Sequence, residues 1–165
     1  MQGMKKEKNS AKKRTKGKSF SVRQTGLAYK NGFYLETAWI LSLMFEQKAK
    51  SVLKKIEHAQ TVQAYSFEQC IKRIKFHHQS GRIPLPEKHL TLELIEEMRA
   101  WKNNRNTMLK DMVNVHVSLN RMERLASDGI ALYKKWTSSM KQVKKILKNH
   151  GIAKNSNQIT GPDEE

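Results

Sequence analysis

A chain of 165 residues carrying 32 Lys and Arg against 15 Asp and Glu has the length of one domain plus tails and a formal charge of +17. That charge is too large to be neutral toward polyanions at ordinary salt, so nucleic acid is the default partner and anionic lipid the second. No run of about 18 apolar residues exists to span a bilayer, and the lysine-rich start lacks the apolar stretch of a signal peptide, so an intracellular, cytoplasmic protein is expected.

Residues 1–31 contain ten Lys or Arg, one acid and few large apolar side chains. Such a segment cannot bury enough surface to fold alone, and it reads as a disordered basic arm. Lys5, Lys6, Lys8, Lys12, Lys13, Arg14, Lys16 and Lys18 are its candidate phosphate contacts. Lys12-Lys13-Arg14 also resembles a nuclear-import signal, a pattern that short basic clusters reach easily by chance.

From Phe33 to about Ala59, Ala38, Leu41, Phe45, Ala49, Val52, Leu53 and Ile56 recur at three or four residues, which predicts a long amphipathic helix. Lys48, Lys50, Lys54 and Lys55 mark its wet side. A second helix is expected from Ser66, its N-cap, to about His78, with Phe67, Cys70, Ile71 and Ile74 inward. Cys70 is the single cysteine, which excludes an internal disulfide and a cysteine-cluster metal site. Gly81, Pro84 and Pro86 then break the chain. His77 and His78 are adjacent, so on a helix they diverge by about 100° and cannot chelate one metal; a helix-end role near exposed carbonyls accounts for them.

Thr91 can cap a third helix running to about Val117, with Leu94, Met98, Trp101, Met108, Met112 and Val115 on one face. Position 105 breaks that stripe with an arginine, followed by Asn106. An unpaired buried guanidinium would cost several kcal/mol, roughly the penalty per buried ion, so Arg105 needs a partner. The candidates are Glu46 or Asp111 at a helix crossing, an open seam, a second subunit, or an anionic ligand. Asn103, Asn104, Arg105, Asn106 and Lys110 form a polar island able to orient a phosphate.

The last helix, about thirty residues long, places Met122, Leu125, Gly129, Tyr133, Trp136, Met140, Val143 and Leu147 on one stripe, and Gly129 implies close approach of a neighbour. Its outer face carries Lys134, Lys135, Lys141, Lys144, Lys145 and Lys148, which are further nucleic-acid candidates. Residues 151–165 read as a disordered tail. Strand signals are nearly absent, so the expected fold is all-α: an antiparallel four-helix bundle over residues 32–150.

The usual catalytic patterns are missing: no glycine-rich phosphate loop, no His-Glu-x-x-His, no nucleophile elbow and no histidine at metal spacing with an acid. No metal and no cofactor are expected. The order of features from about 33 to 148, with Ile71 to Ile74, Pro84-Leu85, Trp101 to Arg105-Asn106, Leu109 and Tyr133 to Trp136, resembles the HEPN superfamily of small helical bundles. That resemblance implies a dimer whose motif arginine and a histidine four to six residues later cut RNA without a metal. Arg105 and Asn106 match the motif. The histidine does not: Lys110, Asp111 and Met112 stand where it would fall, and His116 lies eleven residues after Arg105, about 16 Å along a helix.

Metal-free RNA cleavage needs a group that exchanges protons near neutral pH, and lysine does so only with a strongly lowered pKa. The leading expectation is therefore a non-catalytic HEPN-like module, dimeric or larger, that binds RNA more readily than DNA and serves a partner protein. The alternatives are a divergent metal-independent endoribonuclease of toxin or defence type, using Arg105, Asn106, Lys110 and His116, and a protein-interaction module. Spacing alone assembles no aromatic stacking platform, so no base readout is expected.

Overall fold

The computed structural model describes residues 22–81 and 89–149. They form five α-helices: α1 (Val22–Lys30), α2 (Tyr34–Glu57), α3 (Phe67–Gln79), α4 (Leu92–Asn114) and α5 (Leu119–Asn149), with a 3₁₀ turn at Gln60–Ala64. No strand occurs among the described residues. The cations from Lys5 to Lys18, and residues 151–165, lie outside the described residues.

The last part of the expected arm is helical. A nine-residue helix is marginal in isolation, and α1 is held by docking on α2. Thr25 and Ala28 are buried, the Thr25 hydroxyl lies 3.3 Å from Met44 Sδ, and Tyr29 packs against Tyr34 with ring centroids 5.3 Å apart. Gly32, at φ +77, turns the chain into α2.

All seven apolar positions predicted for α2 are buried. Phe45, fully buried, is where the helices meet: its ring stacks on Phe67 of α3 at 6.1 Å and meets Trp101 of α4 and Tyr133 of α5 at 5.2 Å each. Ser66 caps α3 through a full capping box with Gln69, and Thr91 caps α4 by accepting from the Leu94 N–H. Gly129 of α5 faces the Trp101 ring so closely that an added Cβ would sit 2.7 Å from it. The same indole donates from Nε1 to the Leu125 carbonyl at 3.0 Å, which locks α4 onto α5.

Helix direction departs from an antiparallel bundle. Tyr29 reaches Glu123, Phe45 meets Tyr133, and Lys144 reaches Ser51, so α5 runs parallel to α2. Phe45 meets Phe67 while Glu57 meets Arg73 and His77, so α3 runs parallel to α2 as well. Only α1 and α4 run the other way: Lys102 pairs with Glu68 and Lys75 with Glu96, Trp39 faces Arg105, and Asp111 pairs with Arg121. The cause is the α2–α3 connection. His58 ends α2 in the left-handed region at φ 51, and the following residues travel back along α2, where Lys50 donates to the Gln63 carbonyl at 3.0 Å. The chain therefore restarts beside the middle of α2 rather than at its end.

The α4 stripe is also shorter than its spacing predicts. Ile95, Met98, Trp101 and Met108 are buried, but Met112 is exposed and Val115 leaves the helix as an extended, exposed C-cap. No described helix is long and apolar enough to cross a membrane.

Candidate functional site

Arg105 does not pair with either carboxylate expected of it. Glu46 is engaged by Lys50 at 2.7 Å and Asp111 by Arg121 at 2.8 Å. The part-buried Arg105 guanidinium instead donates from Nε and Nη2 to Asn106 Oδ1, at 3.2 and 2.7 Å, and lies over the Trp39 ring, 5.7 Å from its centroid. Among the described residues no carboxylate comes within ion-pair distance of it. Burial draws its pKa down from the ordinary arginine range, and the more distant Glu46 charge opposes that. Arginine remains charged all the same.

The other members of the island do not close around Arg105. Asn103, Asn104 and Lys110 are exposed, and His116 sits exposed in the α4–α5 link, beyond the helix end. No described histidine bonds to Arg105. The constellation of Arg105, Asn106, Lys110 and His116 is therefore an arginine–asparagine pair with the Lys110 and His116 side chains standing apart from it.

Two lysines of α5 reach partners on neighbouring helices, while Lys134 and Lys145 are exposed. Lys135 pairs with Glu97 of α4 at 3.2 Å. Lys144 instead enters the groove between α5 and α2, donating to Ser51 Oγ at 2.7 Å. Burial lowers its pKa, and the like charges of Lys48 and Lys55 lower it further. Lys48, Ser51 and Lys55 share one face of α2, and Lys141, Lys144 and Lys148 share one face of α5, by their spacing of three and four. No carboxylate pairs with any of these five lysines among the described residues. The reason lies in where acids occur: α5 carries none after Asp128, and Glu57, the last acid of α2, turns inward.

Glu57 belongs to a network that sequence spacing does not reveal. Its side chain is almost fully buried; Oε1 accepts from Arg73 Nε and meets His77 Nε2, each at 2.8 Å, and Tyr65 donates to Oε2 at 3.3 Å. His77 is thus a carboxylate partner rather than a carbonyl-facing helix end. Burial alone would raise the Glu57 pKa, but the hydrogen bonds and charges of His77 and Arg73 outweigh it and hold the carboxyl below the ordinary range. A depressed carboxyl stabilises the fold above its unfolded pKa of about 4.3 and loses that contribution as the pH falls through the folded value. Glu57→Gln should therefore lower stability by about 1–3 kcal/mol near neutral pH, with the gap to wild type closing below about pH 4. Urea midpoints measured for both proteins from pH 7 to pH 3 check this, and a gap that does not narrow would contradict it.

Two other features carry no chemistry. A cleft of about 370 Å³ between α4 and α5 is lined by His89, Thr91, Glu93, Glu97, Lys135 and Ser139, but the Ser139 hydroxyl donates to the His89 carbonyl and no histidine ring activates it. Cys70 is buried in the core, and burial pushes its thiol up to about 11, so it stays protonated and inert at neutral pH. No three His, Cys, Asp or Glu among the described residues are grouped to hold a metal ion.

The described residues form an all-helical unit with a lysine seam between two parallel helices that no described carboxylate pairs with, and a separate arginine–tryptophan pair on another face of α2. No protein-family model, no curated protein and no solved structure matches this chain.

Proposed function

We propose that this chain is a nucleic-acid-binding helical module that takes hold of the phosphate backbone through the α2–α5 lysine seam. The observation that carries the reading is the crowding of Lys48 and Lys55 against the half-buried Lys144 with no carboxylate paired to them among the described residues. Like charges held together repel one another, and an anion placed between them relieves that repulsion. Several cations elsewhere on the surface are answered in cis: Lys50 by Glu46, Arg73 by Glu57, Lys102 by Glu68, Arg121 by Asp111 and Lys135 by Glu97. A charge of +17 adds long-range attraction for the same ligand.

The HEPN resemblance is part of this proposal, on the strength of Arg105-Asn106 and the apolar framework around them. The absent motif histidine places binding ahead of cleavage. A panel of single-stranded RNA, single-stranded DNA and RNA duplex, incubated with the protein in EDTA and read for both retention and cleavage, tests the reading. Retention that weakens steeply with salt and leaves the nucleic acid intact is expected. Cleavage that disappears in Arg105→Ala would replace this reading with a metal-independent nuclease, and salt-insensitive or absent retention would overturn it.

A further inference from the structure

Trp39 is the one exposed tryptophan of three: 55% of its surface is accessible, against 6% for Trp101 and 1% for Trp136. A single exposed apolar side chain needs no explanation. This one carries a guanidinium over its ring, and that guanidinium is part-buried with no carboxylate partner among the described residues. Asn106 fixes the arrangement by holding Nε and Nη2, which leaves Nη1 for an acceptor from outside the chain. Trp39 lies nine residues before Lys48, which on a helix is about half a turn away, so this pair is distinct from the lysine seam.

We propose that Trp39 and Arg105 form a stacking site for one base of a single-stranded nucleic acid, with the neighbouring phosphate on the free edge of the guanidinium. The inference rests on the nucleic-acid reading above and names the form of ligand that reading leaves open. Every nucleobase has a π-face that an exposed indole can take without regard to sequence, and a cation against the indole adds attraction for the adjoining phosphate. In a duplex those π-faces are already stacked on neighbouring base pairs, so only a single strand can offer one. The charge of the site argues against a hydrophobic protein segment as its occupant, because such a segment would bury Arg105 further without neutralising it.

The site contains its own probe, since Trp39 is the tryptophan that solvent and ligand can reach. The experiment is a titration of the full chain, followed by tryptophan fluorescence and by anisotropy of labelled ligand, with oligouridylate, oligodeoxythymidylate, an RNA duplex and inorganic polyphosphate of matched charge. Both single strands should bind and quench the emission, whereas duplex and polyphosphate should bind and leave it unchanged. Trp39→Ala should abolish the quench and weaken single-strand binding about tenfold while leaving polyphosphate binding intact, and Trp39→Phe should restore most of the loss. Circular dichroism confirms that the variants are folded, as an exposed position leads one to expect. Single strands that bind without quenching and with equal affinity for Trp39→Ala would overturn the stacking site while leaving the lysine seam standing. Equal quenching by duplex would overturn it too, and failure of every polyanion to bind would overturn both proposals.

Discussion

Phe45→Ala should lower the free energy of unfolding by about 3–5 kcal/mol, the range for truncating a buried aromatic ring. The position justifies the upper part of that range. The ring is fully buried and touches an aromatic side chain from each of α3, α4 and α5, so its removal empties the point where four helices meet. Three of those neighbours are rigid rings that cannot collapse into the space as an aliphatic side chain could. Since small domains are stable by only about 5–15 kcal/mol, the variant should unfold at a much lower urea concentration and bind a hydrophobic dye before it does. Phe45→Leu, which fills part of the space, should cost clearly less. A loss below about 1 kcal/mol in the alanine variant would mean that the four helices do not converge on this ring.

Lys48, Lys55 and Lys144 replaced together by glutamine should weaken nucleic-acid binding about a hundredfold at 0.1 M salt. Each phosphate contact on a single strand contributes about 0.7 to the slope of log affinity against log salt, and three contacts compared with 1 M salt amount to about two powers of ten. The fold should tolerate the change, because Lys48 and Lys55 make no ion pair among the described residues and removing their mutual repulsion with Lys144 offsets the lost Lys144–Ser51 hydrogen bond. Lys135→Gln is the control: its charge is already answered by Glu97, so its loss should weaken binding far less. Equal weakening by the control, measured by retention at one salt concentration, would show a diffuse charge effect with no particular seam.

Much of this fold is legible in the sequence because it is local. The recurrence of apolar residues at three and four locates α2, α3, α4 and α5; Ser66 and Thr91 mark helix starts; and Gly129 signals a close approach that turns out to be the Trp101 ring. What escapes is what depends on contacts distant in sequence. Helix α1 has few apolar residues and exists because Thr25 and Ala28 find α2. The direction of α3 is set by how residues 58–66 lie on α2, and helix periodicity carries no information about that. The partner of His77 is twenty positions away, in α2.

The site is legible to the same degree. The break in the α4 stripe at Arg105 marks a side chain whose neighbour is an indole far away in sequence, in α2, and charge pairing within the sequence carries no signal for such a ring. Lys48 and Lys55 read as an ordinary wet face in isolation; they become a seam only because α5 runs parallel to α2 and brings Lys144 beside them. Spacing within one helix could show that the lysines share a face, but the facing helix had to be known before the charge could be seen to concentrate.

The most direct test of the lysine seam is the slope of log affinity against log salt for a single-stranded oligonucleotide, measured for the wild-type chain and for the Lys48, Lys55 and Lys144 triple glutamine variant. The variant's slope should be shallower by about 2, three contacts' worth. Identical slopes in the two proteins would mean that these lysines do not meet phosphate, and would contradict the proposed seam.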